Sequence, residues 1–115
     1  MLENECKQFR KAIKCNKMNL GLEWFEKFPA CSCGDTALLL GKYLEEKGFG
    51  VALNVSGKKG QQSHAWLELD DIYIDITADQ FIEIDKSVII TKRSPFHEKF
   101  RHIQKWCCNE LIMNR

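Results

Sequence analysis

The sequence predicts an α+β domain: a small antiparallel sheet packed on a central helix that carries Cys33, with further helices at the N- and C-terminal ends. Three observations lead there. Leu2, Cys6, Phe9 and Ile13 recur at helical spacing near the start. A cysteine-bearing loop, Phe28-Pro29-Ala30-Cys31-Ser32-Cys33-Gly34-Asp35-Thr36-Ala37, runs straight into Leu38-Leu39-Leu40. Two alternating segments, Ser63 to Leu69 and Ile72 to Thr77, flank Asp70-Asp71 as a hairpin would.

The first helix is expected over residues 2–16, with one apolar stripe facing a core and Cys6 in that stripe as a small hydrophobe. Residues 17–28 hold Leu20, Leu22, Trp24, Phe25 and Phe28, too many apolar groups for a solvated loop. A short helix or irregular packing around Trp24 is expected, ended by Pro29, because a proline pushes the residue before it out of helical conformation. The central helix follows. Ser32 is a suitable N-cap, and Asp35 three residues on stands where a capping box has Glu. Asp35 also puts negative charge in the first turn, where the helix dipole favours it. Cys33, Ala37, Leu40, Gly41 and Leu44 share one face, and Gly48 supplies the stop after about Lys47.

Val51 to Val55 reads as the first strand. Ser56 to Gln62 reads as a polar, mobile loop. The hairpin strands come next, then a fourth strand over Val88 to Thr91. Phe96, Phe100, Ile103, Cys107 and Leu111 suggest a closing amphipathic helix. No repeat or linker divides the chain, so residues 1–115 are expected to form a single domain.

Bulk properties exclude some classes. The net charge of +1 gives no electrostatic argument for nucleic acid or an anionic membrane. No apolar run approaches the roughly 18 residues of a membrane span, and the polar, acidic start does not resemble a secretion signal. A cytoplasmic location is therefore expected, with the six cysteines as free thiols rather than disulfides.

Register carries the functional argument. With Asp70-Asp71 as the turn, Leu69 faces Ile72, Leu67 faces Ile74, Trp66 faces Asp75 and His64 faces Thr77. Side chains alternate across a strand, so His64, Trp66 and Glu68 share a face with Tyr73, Asp75 and Thr77. Ala65, Leu67, Leu69, Ile72, Ile74 and Ile76 form the opposite, wholly apolar face. His64 and Asp75 become diagonal neighbours about 7–8 Å apart at the backbone, within side-chain reach. A thiol becomes nucleophilic when deprotonated, and both a helix N-terminus and an adjacent imidazole favour that. Cys33 has the helix N-terminus, His64 can serve as base, and Asp75 can fix the tautomer of His64. The backbone N–H of Cys33 can face an oxyanion, with Gln80 or Gln62 as a side-chain donor. Trp66 packs over the site or stacks on substrate.

Plainer readings stand beside these. Cys33 alone would be an inert buried thiol, and Cys31 is the rival nucleophile. Asp79 rivals Asp75 as orienter, Glu68 reads as a solvated strand residue, and His97 and His102 read as surface residues. Zinc would need Cys31, Cys33 and His64 with Cys107, Cys108 or His102, but Cys-x-Cys is not the usual knuckle spacing, so no metal and no other cofactor is expected.

Cys33-Gly34-Asp35-Thr36-Ala37-Leu38-Leu39-Leu40, His64-Ala65-Trp66-Leu67-Glu68 and Asp75 together resemble the transglutaminase-like superfamily of papain-related cysteine hydrolases. The bacterial branch containing lasso-peptide leader peptidases is the nearest in look, since its histidine also opens a His-Ala-Trp motif. The resemblance covers about Phe28 to Phe81. It implies a papain/transglutaminase-like core with a helix cysteine, a strand histidine and a next-strand aspartate as triad. The implied activity is that of a bacterial thiol hydrolase or acyl transferase, of peptidase or amidase type, on an amide or acyl substrate. A peptide or protein substrate follows, with a protein partner supplying recognition that so short a chain lacks. The alternative is a catalytically inactive member of the fold, acting as a protein-binding or accessory module.

Overall fold

A computed structural model describes residues 1–16, 33–81 and 83–107. Residues 17–32, 82 and 108–115, among them Trp24, Pro29, Cys31, Ser32 and Cys108, lie outside the described residues, and with them the expected N-cap. Among the described residues, three helices and a five-stranded antiparallel sheet make an α+β fold.

Helix α1 spans Leu2–Asn16 and α2 spans Cys33–Glu46. Strands β1 (Leu53–Lys59), β2 (Gln62–Leu69), β3 (Ile72–Asp75), β4 (Ile89–Thr91) and β5 (Arg101–Cys107) form the sheet in the order β4-β3-β2-β1-β5. A single 3-10 turn, Ala78–Gln80, and a short helix α3, Pro95–Glu98, fill the connections.

α1 buries Cys6 and Ile13, as its stripe predicts, and also Arg10, which lies outside that stripe. α2 buries Ala37, Leu38, Leu40 and Leu44. Its end satisfies two orphan carbonyls: Phe49 N–H donates to Leu44 O and Gly48 N–H to Glu45 O, both at 3.0 Å. This is a Schellman closure, and it needs the positive φ of +88° that Gly48 supplies without strain. The Tyr43 hydroxyl donates to the Glu5 carboxylate at 2.7 Å and ties the two helices together.

The β2–β3 hairpin has the expected register, with Leu69 opposite Ile72 and Leu67 opposite Ile74. Asp70 and Asp71 take φ of 51° and 65°. Two consecutive left-handed residues match a primed turn, and aspartate tolerates that region better than most. Ala52, Leu67, Leu69, Ile74 and Ile76 face α1 and α2 in one core. The opposite face holds a second cluster, Val55, Trp66, Phe81 and Phe100, with Phe96 and Tyr73 packed on it. The sheet is therefore covered on both sides around His64.

Two expectations need correction. Ser56 to Lys59 is not a loop. It continues β1, pairs with β2 down to Lys59 opposite Gln62, and leaves only Gly60 and Gln61 to turn. Ladder hydrogen bonds are made by backbone, so a polar composition did not prevent the strand. The closing helix is also absent among the described residues: α3 ends at Glu98, and Arg101–Cys107 is strand β5, paired along β1. The apolar residues of 101–107, Ile103, Trp106 and Cys107, fall at helical spacing, and backbone pairing with the open edge of β1 overrides that pattern. Gly57 makes the pairing possible. A Cβ there would lie 2.6 Å from Ile103 Cδ1 and 3.1 Å from Arg101 O.

Candidate active site

His64 sits in β2 and Asp75 ends β3; both are buried, 1 % and 2 % exposed. Their side chains meet as alternation requires. His64 Nε2 lies 2.6 Å from Asp75 Oδ2. The other carboxylate oxygen is also held, because Asp75 Oδ1 accepts the Thr77 N–H at 2.8 Å in an Asx-type turn. That turn takes the chain out of the sheet. The β2–β3 ladder closes at Leu67 opposite Ile74, so β2 runs on toward His64 without a β3 partner. Thr36 and Ala37, in the first turn of α2, line a narrow gap there with Ala65, Asp75 and Thr77.

Aromatic rings fix the imidazole of His64. Phe81 meets it edge-on at 4.9 Å, and Trp66 and Phe100 lie at 5.8 and 5.9 Å. Gln80, in the 3-10 turn, brings its amide nitrogen to 3.4 Å from His64 Nδ1 while donating to Thr77 O at 3.1 Å. Of the oxyanion candidates, Gln80 is thus beside the histidine. Gln62, the first residue of β2 and two before His64, is exposed opposite Lys59. Trp66 is 2 % exposed, so its ring packs within the fold rather than offering a surface for stacking. Among the described residues, its Nε1 and the Thr36 hydroxyl are buried without a hydrogen-bond partner. Cys33 is the first residue of α2, and its side chain, like Cys31, is outside the described structure.

Asp79 does not compete for His64. Arg10, reaching from α1, binds both Asp79 oxygens at 2.8 Å and donates to the carbonyls of Ile76 and Ser87. One buried guanidinium thereby clamps the segment that carries Thr77 and Gln80. Glu68, partly exposed on the same face as Trp66, pairs with Lys105 at 3.0 Å.

His97 is the main correction. It is not a surface residue but is 1 % exposed, and its Nε2 lies 2.6 Å from the same Asp75 Oδ2. Ser94 caps α3: its Oγ accepts the His97 N–H and also contacts His97 Nδ1. His102, by contrast, is exposed on β5. The Ser94-Pro95 pair was the available signal, since serine followed by proline marks a helix start and fixes what the next residues face. Burial pushes the Asp75 carboxyl up, but hydrogen bonds from His64 and His97 outweigh it and hold it well below the usual carboxylate range. The carboxylate is therefore ionised and accepts only, so each histidine presents an N–H on Nε2. For a neutral His64, that leaves Nδ1 as the basic nitrogen.

His64, Asp75 and His97 are close enough to raise the question of a metal. Two ligands of a tetrahedral zinc with bonds of about 2.0–2.1 Å stand roughly 3.3 Å apart. Separations of 2.6 Å are those of hydrogen bonds. No described helix is long and apolar enough to cross a membrane. Comparison with protein-family models, curated proteins and solved structures finds no match to this chain.

Proposed function

We propose that the chain is a thiol hydrolase or acyl transferase of peptidase or amidase type, with a papain/transglutaminase-like core, acting in the bacterial cytoplasm on a peptide or protein. The observation that carries the proposal is the buried His64–Asp75 pair at 2.6 Å. It commits Nε2 to the carboxylate and turns Nδ1 into the proton acceptor. The strand ends that carry this pair adjoin the first turn of α2, the helix that Cys33 opens.

In the proposed reaction, His64 Nδ1 takes the proton of the Cys33 thiol. The thiolate attacks the substrate carbonyl carbon, and the developing oxyanion meets the Cys33 backbone N–H and the Gln80 amide. Collapse breaks the C–N bond. His64 returns the proton to the leaving amine, and a thioester remains on Cys33. Water, activated by the same imidazole, then releases the acid; an amine in its place would complete acyl transfer.

Iodoacetamide alkylation against pH, mapped by mass spectrometry, tests this. Cys6 is an internal control, because burial pushes its thiol up to about 12. Cys33 is expected to react well below pH ~8.5, the ordinary thiol midpoint, and His64→Ala to remove that advantage. A Cys33 that titrates as an ordinary thiol in both forms refutes the enzyme reading and favours a binding module on the same fold.

A further inference from the structure

We propose that His97 is a positioning residue: it shares the Asp75 carboxylate with His64, is locked in its tautomer by Ser94, and so sets how strongly Asp75 orients and polarises His64.

The hydrogens can be assigned from partners alone. Asp75 Oδ1 is taken by the Thr77 N–H at 2.8 Å and faces the Thr77 hydroxyl at 3.3 Å. Oδ2 is left to the two imidazoles, each at 2.6 Å. Ser94 Oγ accepts the backbone N–H of His97 at 3.3 Å, so its own hydrogen is free to point at His97 Nδ1. With Nδ1 accepting, Nε2 carries the N–H and donates to Asp75. A chain of donors thus runs Ser94, His97, Asp75, with His64 as the second donor to the same oxygen.

Packing makes this more than a buried histidine finding a partner. The His97 ring stacks on Tyr73 at 5.5 Å and lies 4.7 Å from Trp66 and 6.1 Å from His64. Burying an imidazole and a serine hydroxyl costs free energy that an apolar side chain in this aromatic cluster would not. Two N–H donors on one oxygen draw on the same negative charge. His64 is therefore less basic than it would be beside an Asp75 of its own, and more of it stays neutral and able to accept a thiol proton. The other groups around His97 are Tyr73 on β3, Glu98 beside it on α3, and the Glu68–Lys105 pair on β2 and β5. Glu98 is exposed, and Glu68 is paired, so neither replaces Asp75 as the partner.

The inference rests on the proposed function only for its consequence at Cys33, and the test separates the two. Long-range 1H–15N NMR on the full ¹⁵N-labelled chain reads tautomer and titration midpoint of each histidine. The wild type is expected to show the Nε2–H tautomer for both His64 and His97. His97→Leu is expected to raise the His64 midpoint by about one pH unit, since the carboxylate then serves one imidazole. His97→Gln, which keeps an N–H donor, should restore most of the wild-type midpoint. Ser94→Ala should give an intermediate rise, and it decides the matter if His97→Leu does not fold. A His64 midpoint that stays put in folded His97→Leu and Ser94→Ala overturns the proposal. So does a zinc titration in which one equivalent of zinc chloride shifts both histidines to metal-bound signals. The acid limb of Cys33 alkylation should move with the His64 midpoint. If the midpoint moves and that limb does not, His97 acts as proposed and His64 is not the base for Cys33.

Discussion

Replacing Asp75 by Asn probes the centre of the molecule with the smallest change of shape. The carboxylate accepts two imidazole N–H groups on Oδ2 and the Thr77 backbone N–H on Oδ1. An amide of the same size can keep its oxygen toward Thr77. Its NH₂ then points at both imidazoles, donor against donor. Each histidine must move its hydrogen to Nδ1 or lose the contact. His97 can do so by reversing its bond with Ser94, whereas His64 would turn an N–H toward the Gln80 amide. Two charge-assisted hydrogen bonds are lost, at about 1.5–3 kcal/mol each. Relief from burying a charge returns part of that, because burial by itself disfavours the ionised Asp75. The expected net loss is about 2–4 kcal/mol, a large share of a typical stability of about 5–15 kcal/mol. Urea unfolding at pH 7 measures it as a lower midpoint with unchanged slope. In the same variant, ¹⁵N shifts should show His64 as the Nδ1–H tautomer. A loss below about 1 kcal/mol, with His64 still protonated on Nε2, would refute the picture of a charged acceptor shared by two donors.

Three other perturbations follow from the same structure. Arg10→Met should destabilise by about 1–3 kcal/mol, the cost of leaving the part-buried Asp79 carboxylate and the Ile76 carbonyl without their donor, and a double-mutant cycle with Asp79→Asn should show coupling above about 1 kcal/mol; additive losses would mean the clamp is not a unit. Gly57→Ala places a methyl against Ile103 and the Arg101 carbonyl, so thermal unfolding should fall by the equivalent of about 1–3 kcal/mol, and an unchanged midpoint would show that β5 does not seat as described. For pH, the depressed Asp75 carboxyl contributes stability above its unfolded value of about 4 and loses it as pH falls below that toward the folded value. Urea midpoints measured from pH 6 downward should therefore drop more steeply in the wild type than in Asp75→Asn.

How much of this was legible depended on how local the determinant was. The β2–β3 register could be read because one face is uninterrupted aliphatic from Ala65 to Ile76, and a slip by one residue would expose all of it. That register alone brought His64 to Asp75. α1 and α2 were legible from stripe and stop signals for the same reason. β5 was not, because Arg101–Cys107 becomes strand by pairing with β1, more than forty residues earlier. Six of its seven residues are exposed, so burial leaves little mark on the sequence. His97 was missed as a direct consequence. Inside a long amphipathic helix it would face solvent, whereas a four-residue helix turns it under the sheet. Nothing local marks Arg10 as a buried clamp, since its partners at Ile76, Asp79 and Ser87 lie over sixty residues away.

The placement of β5 also sets an order of assembly. His64 and Asp75 sit on neighbouring strands joined by a two-residue turn, so they can find each other early and locally. His97 enters from the short helix that precedes β5, and its seat under the sheet forms as that strand docks along β1. Closing so long a loop is slow compared with forming a hairpin. On these grounds the first imidazole–carboxylate contact is expected to form before the second. Docking of β5 along β1 thus accompanies the step that completes the hydrogen bonding of the buried Asp75.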